Sequence, residues 1–226
     1  MKRRLFIKKT ATVTAGIASS SYLYGNVMSN ISANNTINIG VIGTGDRGGG
    51  LTSIINSIDS VNVIAACDVL PFRLKEGISK ANSNPTGYSD YRQLLDNNDI
   101  DAVIIATTFN THSKIAIDAL DADKHVYCEK TLAKGYVGIG ELVNRANQSK
   151  QIFQTGHQYH SSRLYTHVVD LIQQGKVGNI TAFECQWNRY GNWRRPVPNP
   201  KFEKAINWRM YREFSGGLTM LKMGIK

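Results

Sequence analysis

The sequence predicts an α/β protein built on a doubly wound parallel sheet, with a second, smaller region of different character after it. Three observations predict this. Short apolar runs rich in β-branched residues alternate with amphipathic stretches from Thr36 to Gly156, the pattern of buried parallel strands joined by helical crossovers. The first run ends in the turn Gly43-Thr44-Gly45-Asp46-Arg47-Gly48, and the second ends in Asp68. Beyond Gly156 the alternation stops and the chain becomes rich in Trp, Tyr and Arg. The expected organisation is an N-terminal segment at 1–33, a sheet domain at 34–156 and a partial second domain at 157–226.

The first strand is Ile37 to Ile42, and the turn after it leads into a helix that opens near Gly48, carrying Leu51, Ile54, Ile55 and Ile58. A strand from Val61 to Cys67 closes the unit. In such a unit one glycine makes the tight turn, one lets the backbone approach a pyrophosphate, and one lets helix and strand pack closely. The helix would point its free N–H groups and positive dipole end at that phosphate. Asp68, twenty residues past Gly48, is placed to accept hydrogen bonds from a ribose diol. Strand, glycine turn, helix, strand and acid in that order point to a dinucleotide site; the alternative is a purely structural glycine turn.

Pro71 is well placed to begin the next helix, with Phe72, Leu74 and Ile78 inward. Asn82 to Pro85 is a turn, and Asp90 is an N-cap for a short helix carrying Leu94 and Leu95. Asp101 to Thr107 is a strand, Thr111 to Ala122 a helix, His125 to Glu129 a strand, Tyr136 to Ser149 a helix and Gln151 to Thr155 a strand. Ligands of doubly wound sheets bind outside the carboxyl ends of the strands. Gly43 to Gly48, Asp68, Thr107 to His112, and Glu129 with Lys130 all fall at such ends and so converge on one crevice. Later, Leu164 to Gln174 is a helix closed by Gly175, and Ile180 to Trp187 is a long alternating strand of a different sheet.

The net charge of +10 is uneven: residues 1–33 hold +5, residues 183–226 hold +6, and the stretch between is near neutral. Nucleic-acid binding is therefore a poor reading of the charge. The start, Met1 to Thr10 with Arg3-Arg4-x-Phe6-Ile7-Lys8, followed by the weakly apolar Ala11 to Tyr24, resembles a twin-arginine export signal. An exported or periplasmic protein is expected, with no stable membrane insertion, since no later run approaches the roughly 20 apolar residues of a spanning helix. The three cysteines, Cys67, Cys128 and Cys185, fall in or at the ends of strands and are expected as small buried hydrophobes. His157 and His160 lie close together without a third ligand, so no metal site is expected.

Taken together, Gly43-x-Gly45-x-x-Gly48 with Asp68, Ala106-Thr107-Thr108-Phe109-Asn110-Thr111-His112, Lys124 to Lys130, and Gly175-Lys176-Val177-Gly178 resemble the glucose–fructose oxidoreductase and inositol dehydrogenase family (Gfo/Idh/MocA), in its secreted branch. The likeness runs from about Thr36 to Thr219. It implies an N-terminal Rossmann domain and a C-terminal domain on an open, mostly antiparallel sheet. It implies hydride transfer between a nicotinamide and a sugar or polyol hydroxyl, and association into dimers or tetramers through the open sheet.

NAD is the cofactor implied, held by Gly43, Gly45, Asp46, Arg47, Gly48, Asp68, Thr107, Asn110, His112 and Glu129. NADP is disfavoured because the Asp68 carboxylate repels a 2′-phosphate, a preference that nearby Arg73 weakens slightly. The family's Glu-Lys-Pro motif maps onto Glu129-Lys130, with Thr131 in place of proline. Lys130 would stabilise charge or take the hydroxyl proton as hydride leaves, and Glu129 would orient it or bind the nicotinamide ribose. His157 and Gln158 fall where the family lines the substrate side. In the tail, Arg189, Trp193 and Arg195 suit the hydroxyls and apolar faces of a sugar; the alternative is an interface-forming loop. The resemblance also implies a helix supplying a catalytic histidine after Ser215-Gly216-Gly217. The sequence shows none before Lys226 and reads as a truncated member. An NAD-dependent glycosidase and a non-catalytic, nucleotide-binding remnant stand as the other readings.

Overall fold

The computed structural model describes residues 36–186 and 193–216. By its contacts the chain divides into residues 1–37 and residues 38–226, and the site lies within the second unit. The strands are β1 (Ile37–Ile42), β2 (Val61–Cys67), β3 (Thr86–Tyr88), β4 (Ala102–Ile105), β5 (His125–Cys128) and β6 (Phe153–Thr155). They form one six-stranded sheet in the order β3-β2-β1-β4-β5-β6, the arrangement of a Rossmann sheet. The pairs β1–β4, β2–β3, β4–β5 and β5–β6 are parallel.

Helices α1 (Asp46–Ile55), α2 (Pro71–Lys80), α3 (Tyr91–Leu95), α4 (Phe109–Asp121) and α5 (Tyr136–Gln148) connect the strands. Adjacent strand residues send side chains to opposite faces, so two cores form. Ile42, Cys67 and Ile105 pack with Leu94, Leu95, Ala116, Leu120 and Leu142 on one face. Val41, Val63 and Ile104 pack with Ile55 on the other. Each fully buried Leu or Ile contributes roughly 1.5–3 kcal/mol. Pro71 stands in the first turn of α2, and Asp90 caps α3 by accepting from the Arg92 amide at 3.0 Å.

What positions the site is the last rung of the ladder. One residue beyond each strand, a backbone amide still donates to the neighbouring strand. Asp68 donates to Tyr88 at 3.2 Å, Gly43 to Cys67 at 2.8 Å, and Ala106 to Ile42 at 2.8 Å. Glu129 donates to Ile105 at 2.9 Å and Gly156 to Cys128 at 2.7 Å. Asp68, Gly43, Ala106, Glu129 and Gly156 therefore stand side by side along one edge, in sheet order, before their loops diverge.

Several expectations are corrected. The first helix begins at Asp46, two residues earlier than expected, because Gly45 already serves as its N-cap. The short strand β3 was hidden in a turn-rich stretch and exists through pairing with β2. Ile180 to Gln186 is not a strand, no described residue after Thr155 is in a sheet, and Trp187 lies outside the described residues. An alternating stretch becomes a strand only where a neighbour satisfies its N–H and C=O groups, and among the described residues no such neighbour is present. Phe183 is accordingly 83% exposed. Cys67 and Cys128 are buried, with burial pushing each thiol pKa up to about 12, but Cys185 is exposed. The helix expected at Leu164 to Gln174 is α6 (Arg163–Gln173), none of whose residues is buried. Two further short helices, α7 (Glu203–Ile206) and α8 (Arg212–Ser215), follow in the tail.

Candidate dinucleotide site

The carboxyl edge of the sheet opens into a cavity of about 1020 Å³. Its wall brings together Gly43, Gly45, Asp46, Arg47, Asp68, Thr107, Asn110, His112, Glu129, Lys130, His157, Gln158, Trp193 and Arg195. Of the sequence candidates, Gly48 stands behind the wall and Arg189 lies outside the described residues.

The glycine turn is shaped as a phosphate cradle. Gly43 has φ of 88°, the left-handed region that side chains disfavour. At Gly48 an added Cβ would lie 1.8 Å from the Gly43 carbonyl oxygen, whereas at Gly45 it would meet nothing within 4 Å. One glycine thus permits helix-to-turn contact and another leaves the backbone open to a ligand. Helix α1 carries no side-chain cap, and its first N–H groups have no partner within the helix, so they can receive an anion together with the dipole. These residues fit the pyrophosphate of a dinucleotide.

Asp68 is already partly engaged. Its Oδ2 accepts from the Thr44 amide at 2.9 Å, with the Thr44 hydroxyl oxygen 3.3 Å away, and its Oδ1 accepts from the Leu70 amide at 2.9 Å. Each carboxylate oxygen has two lone pairs, so Oδ1 keeps one for a ribose hydroxyl while the amides hold the group in place.

Glu129, expected to orient Lys130 or to bind the nicotinamide ribose, is paired with a residue the sequence did not suggest. Its Oε1 accepts from Arg47 Nε at 2.8 Å and from the Tyr127 hydroxyl at 3.1 Å, with Arg47 Nη2 at 2.6 Å. Arg47 Nη2 also donates to Gln158 Oε1 at 2.9 Å. The Glu129 side chain is 8% exposed and that of Arg47 39%. One guanidinium therefore ties the loops after β1, β5 and β6 together. Nothing in the sequence pairs Arg47 with Glu129, which are 82 residues apart. Lys130 stands in the wall of the cavity. Desolvation lowers its pKa, Glu129 raises it, and Arg209 and Arg47 lower it, a combination suited to proton transfer.

His112 is 1% exposed. Its Nδ1 lies 2.8 Å from the Thr131 carbonyl and its Nε2 3.2 Å from the Thr107 carbonyl, so it fastens the loop after β5 to the loop after β4. Burial lowers its pKa. The unfolded chain then binds a proton that the folded chain does not, and stability falls as pH drops below the ordinary value of 6.5. His112→Gln is expected to flatten that fall in denaturation midpoints measured across pH; an unchanged slope would assign it to other groups. Asn110 is exposed, its Oδ1 accepting from the Thr108 hydroxyl at 2.7 Å, and Thr107 Oγ1 lies 2.8 Å from Thr111 Oγ1. His157 is exposed, with its ring stacked on that of His160 at 5.7 Å.

The tail contributes more wall than the sequence showed. Arg195 Nε lies 3.2 Å from Asp46 Oδ2, at the head of α1. Trp208 packs edge-on against Phe109 at 4.6 Å, and Arg209 lies 4.4 Å over Trp208. Asn207, buried, accepts from the Arg195 amide at 2.6 Å and donates to its carbonyl at 3.1 Å. The density of Trp and Arg was the only signal for this packing.

Residues 37–157 match the family described as the oxidoreductase family with an NAD-binding Rossmann fold, Gfo/Idh/MocA. The chain belongs to this family. Its NAD-binding domain is thus the six-stranded sheet with the glycine turn. The chain is similar to inositol 2-dehydrogenase of Salmonella paratyphi B, 28% identical over 145 residues, which are 63% of this chain and 43% of that protein. It is also similar to an α-N-acetylgalactosaminidase of Shewanella oneidensis, 24% identical over 232 residues, 92% of this chain and 50% of that protein. Among solved structures, scyllo-inositol dehydrogenase of Lactobacillus casei, with bound NAD(H) and scyllo-inositol, is 30% identical with a TM-score of 0.60, over 65% of this chain and 43% of that one. The chain spans about half or less of the length of these relatives. No described helix is long and apolar enough to cross a membrane.

Proposed function

We propose that this chain binds NAD in the cavity at the carboxyl edge and forms the cofactor half of an oxidoreductase acting on a polyol or sugar hydroxyl. The convergence of the glycine turn, Asp68 and Glu129-Lys130 on one cavity carries this reading. The amides of the first turn of α1 would hold the pyrophosphate, and Asp68 the adenosine ribose. NAD supplies the hydride acceptor. Lys130, beside the cavity and with a lowered pKa, is positioned to take the hydroxyl proton or to stabilise the charge on oxygen as hydride leaves. Trp193 and Arg195 would face a polyhydroxylated substrate. Calorimetric titration of the chain with NAD is expected to give micromolar affinity, with Asp68→Ala at least tenfold weaker, about the 1.4 kcal/mol of one charge-assisted hydrogen bond. Equal affinity of the two proteins would remove Asp68 from the site.

A second reading, an NAD-dependent glycosidase, is favoured by the extent of the match to the α-N-acetylgalactosaminidase, which runs over 92% of the chain where the inositol dehydrogenase match covers 63%. Fold does not decide between the two. Net NADH accumulation with a free polyol supports the dehydrogenase, and aglycone release without net NADH supports the glycosidase.

Export is a further part of this reading, supported by Arg3-Arg4-x-Phe6. With Arg3 and Arg4 both changed to Lys, the protein is expected to remain in the cytoplasmic fraction; undiminished export would show that the pair is not the signal.

A further inference from the structure

One cation in the cavity wall, Arg73, is paired with the carboxylate at the head of α1. Arg73 stands on α2 five residues after Asp68 and lines the same wall. A guanidinium just past the acidic end of this strand is suited to receive a 2′-phosphate, whose geometry its fork matches. Here it is engaged elsewhere. Arg73 Nη1 donates to Asp46 Oδ1 at 3.0 Å and lies 3.6 Å from Glu76 Oε2. Its Cζ lies 5.9 Å from the centre of the Phe72 ring. Its carbonyl accepts from the Thr44 hydroxyl at 2.8 Å, fastening α2 to the glycine turn. The Arg73 side chain is 19% exposed against 47% for Asp46, so the arginine is the more confined partner.

Asp46 is the first residue of α1, where a carboxylate suits the helix dipole but would repel a pyrophosphate. Arg73 and Arg195 offset that charge from two sides. We infer that Asp46 is a specificity-determining positioning residue. By holding Arg73 it denies a 2′-phosphate a cation that could offset Asp68, and so favours the dinucleotide with a free 2′-hydroxyl. Selection then has two parts: Asp68 repels the extra phosphate, and Asp46 prevents Arg73 from compensating.

The inference rests on the dinucleotide reading of the cavity, and the test separates the two. NAD and NADP affinities are measured by calorimetry on the full chain and on Asp46→Asn, Asp46→Glu, Arg73→Ala and the double variant Asp46→Asn with Arg73→Ala. The native chain is expected to prefer NAD. Asp46→Asn should shift the NADP-to-NAD affinity ratio about tenfold toward NADP, the scale of one charge-assisted contact. Asp46→Glu should keep the native ratio, and the double variant should lose the shift. A ratio unchanged in Asp46→Asn, or a shift that survives removal of Arg73, overturns the role of Asp46 while leaving the site intact. Absence of binding by the folded native chain to either dinucleotide overturns the reading of the site and the inference with it.

Discussion

Gly48→Ala is expected to destabilise the chain by about 2–4 kcal/mol and to weaken NAD binding at least tenfold. The added Cβ would stand 1.8 Å from the Gly43 carbonyl oxygen and 2.9 Å from its carbonyl carbon. Both are backbone atoms, so no side chain can rotate away to relieve the contact. Gly43 cannot yield easily either. Its amide is tied to the Cys67 carbonyl at 2.8 Å, and on its other side a Cβ position already approaches Ala106 backbone at 2.8 Å. Relief must come from moving α1 off the sheet edge, which displaces the N–H groups that would receive the pyrophosphate. Gly50→Ala is the control, in the same helix with nothing within 4 Å of its added Cβ. There the change should be neutral or stabilising by up to about 1 kcal/mol. Urea denaturation and NAD titration of both variants decide the matter: similar losses at the two positions would mean that the turn tolerates a side chain at Gly48.

The contrast between those glycines shows what the sequence could and could not disclose. That a glycine was needed at position 48 was legible, because strand, turn, helix and acid recur in an order that chemistry explains. Apolar periodicity likewise placed five of the six strands within a few residues, and Pro71 and Asp90 marked their helix starts. Strand β3 escaped because three residues carry no period; its existence depends on β2 lying alongside. The reverse error came at Ile180 to Gln186, where local alternation was present but no paired strand lies among the described residues. The site followed the same division. Residues at strand ends converge on one cavity, as expected, because the fold fixes where strand ends go. Their partners were not legible: Arg47 reaches Glu129, Asp46 reaches Arg73 and Arg195, and Asn207 clasps Arg195 only after the chain has folded. His112 was expected at the nucleotide; it is buried between two carbonyls, where it fastens two loops of the wall.

Arg47→Ala is expected to cost about 1–3 kcal/mol of stability, and the loss should shrink when Glu129→Gln is present as well. The Glu129 carboxylate, 8% exposed, keeps the Tyr127 hydroxyl at 3.1 Å and the weaker attraction of Lys130 once Arg47 is gone. A nearly buried charge left without its counter-ion is more costly than the pair was worth, roughly 3–5 kcal/mol in a dry interior. The 39% exposure of Arg47 lets water screen part of that, which lowers the figure. Glutamine at 129 has no charge to orphan, so in its presence Arg47 loses most of its value. A double-mutant cycle on denaturation free energies should therefore give a coupling of about 1 kcal/mol or more. Strict additivity would mean that Arg47 and Glu129 act separately, contrary to their 2.6 Å approach. The pair also has a consequence for the cavity. Arg47 stands on α1, whose first turn would face the pyrophosphate, Glu129 precedes Lys130, and Gln158 follows β6. Cutting the link frees three loops at once, so NAD affinity should fall with stability in Arg47→Ala. Arg47→Lys should recover little of either, because an ammonium cannot span Glu129 and Gln158 as the planar guanidinium does.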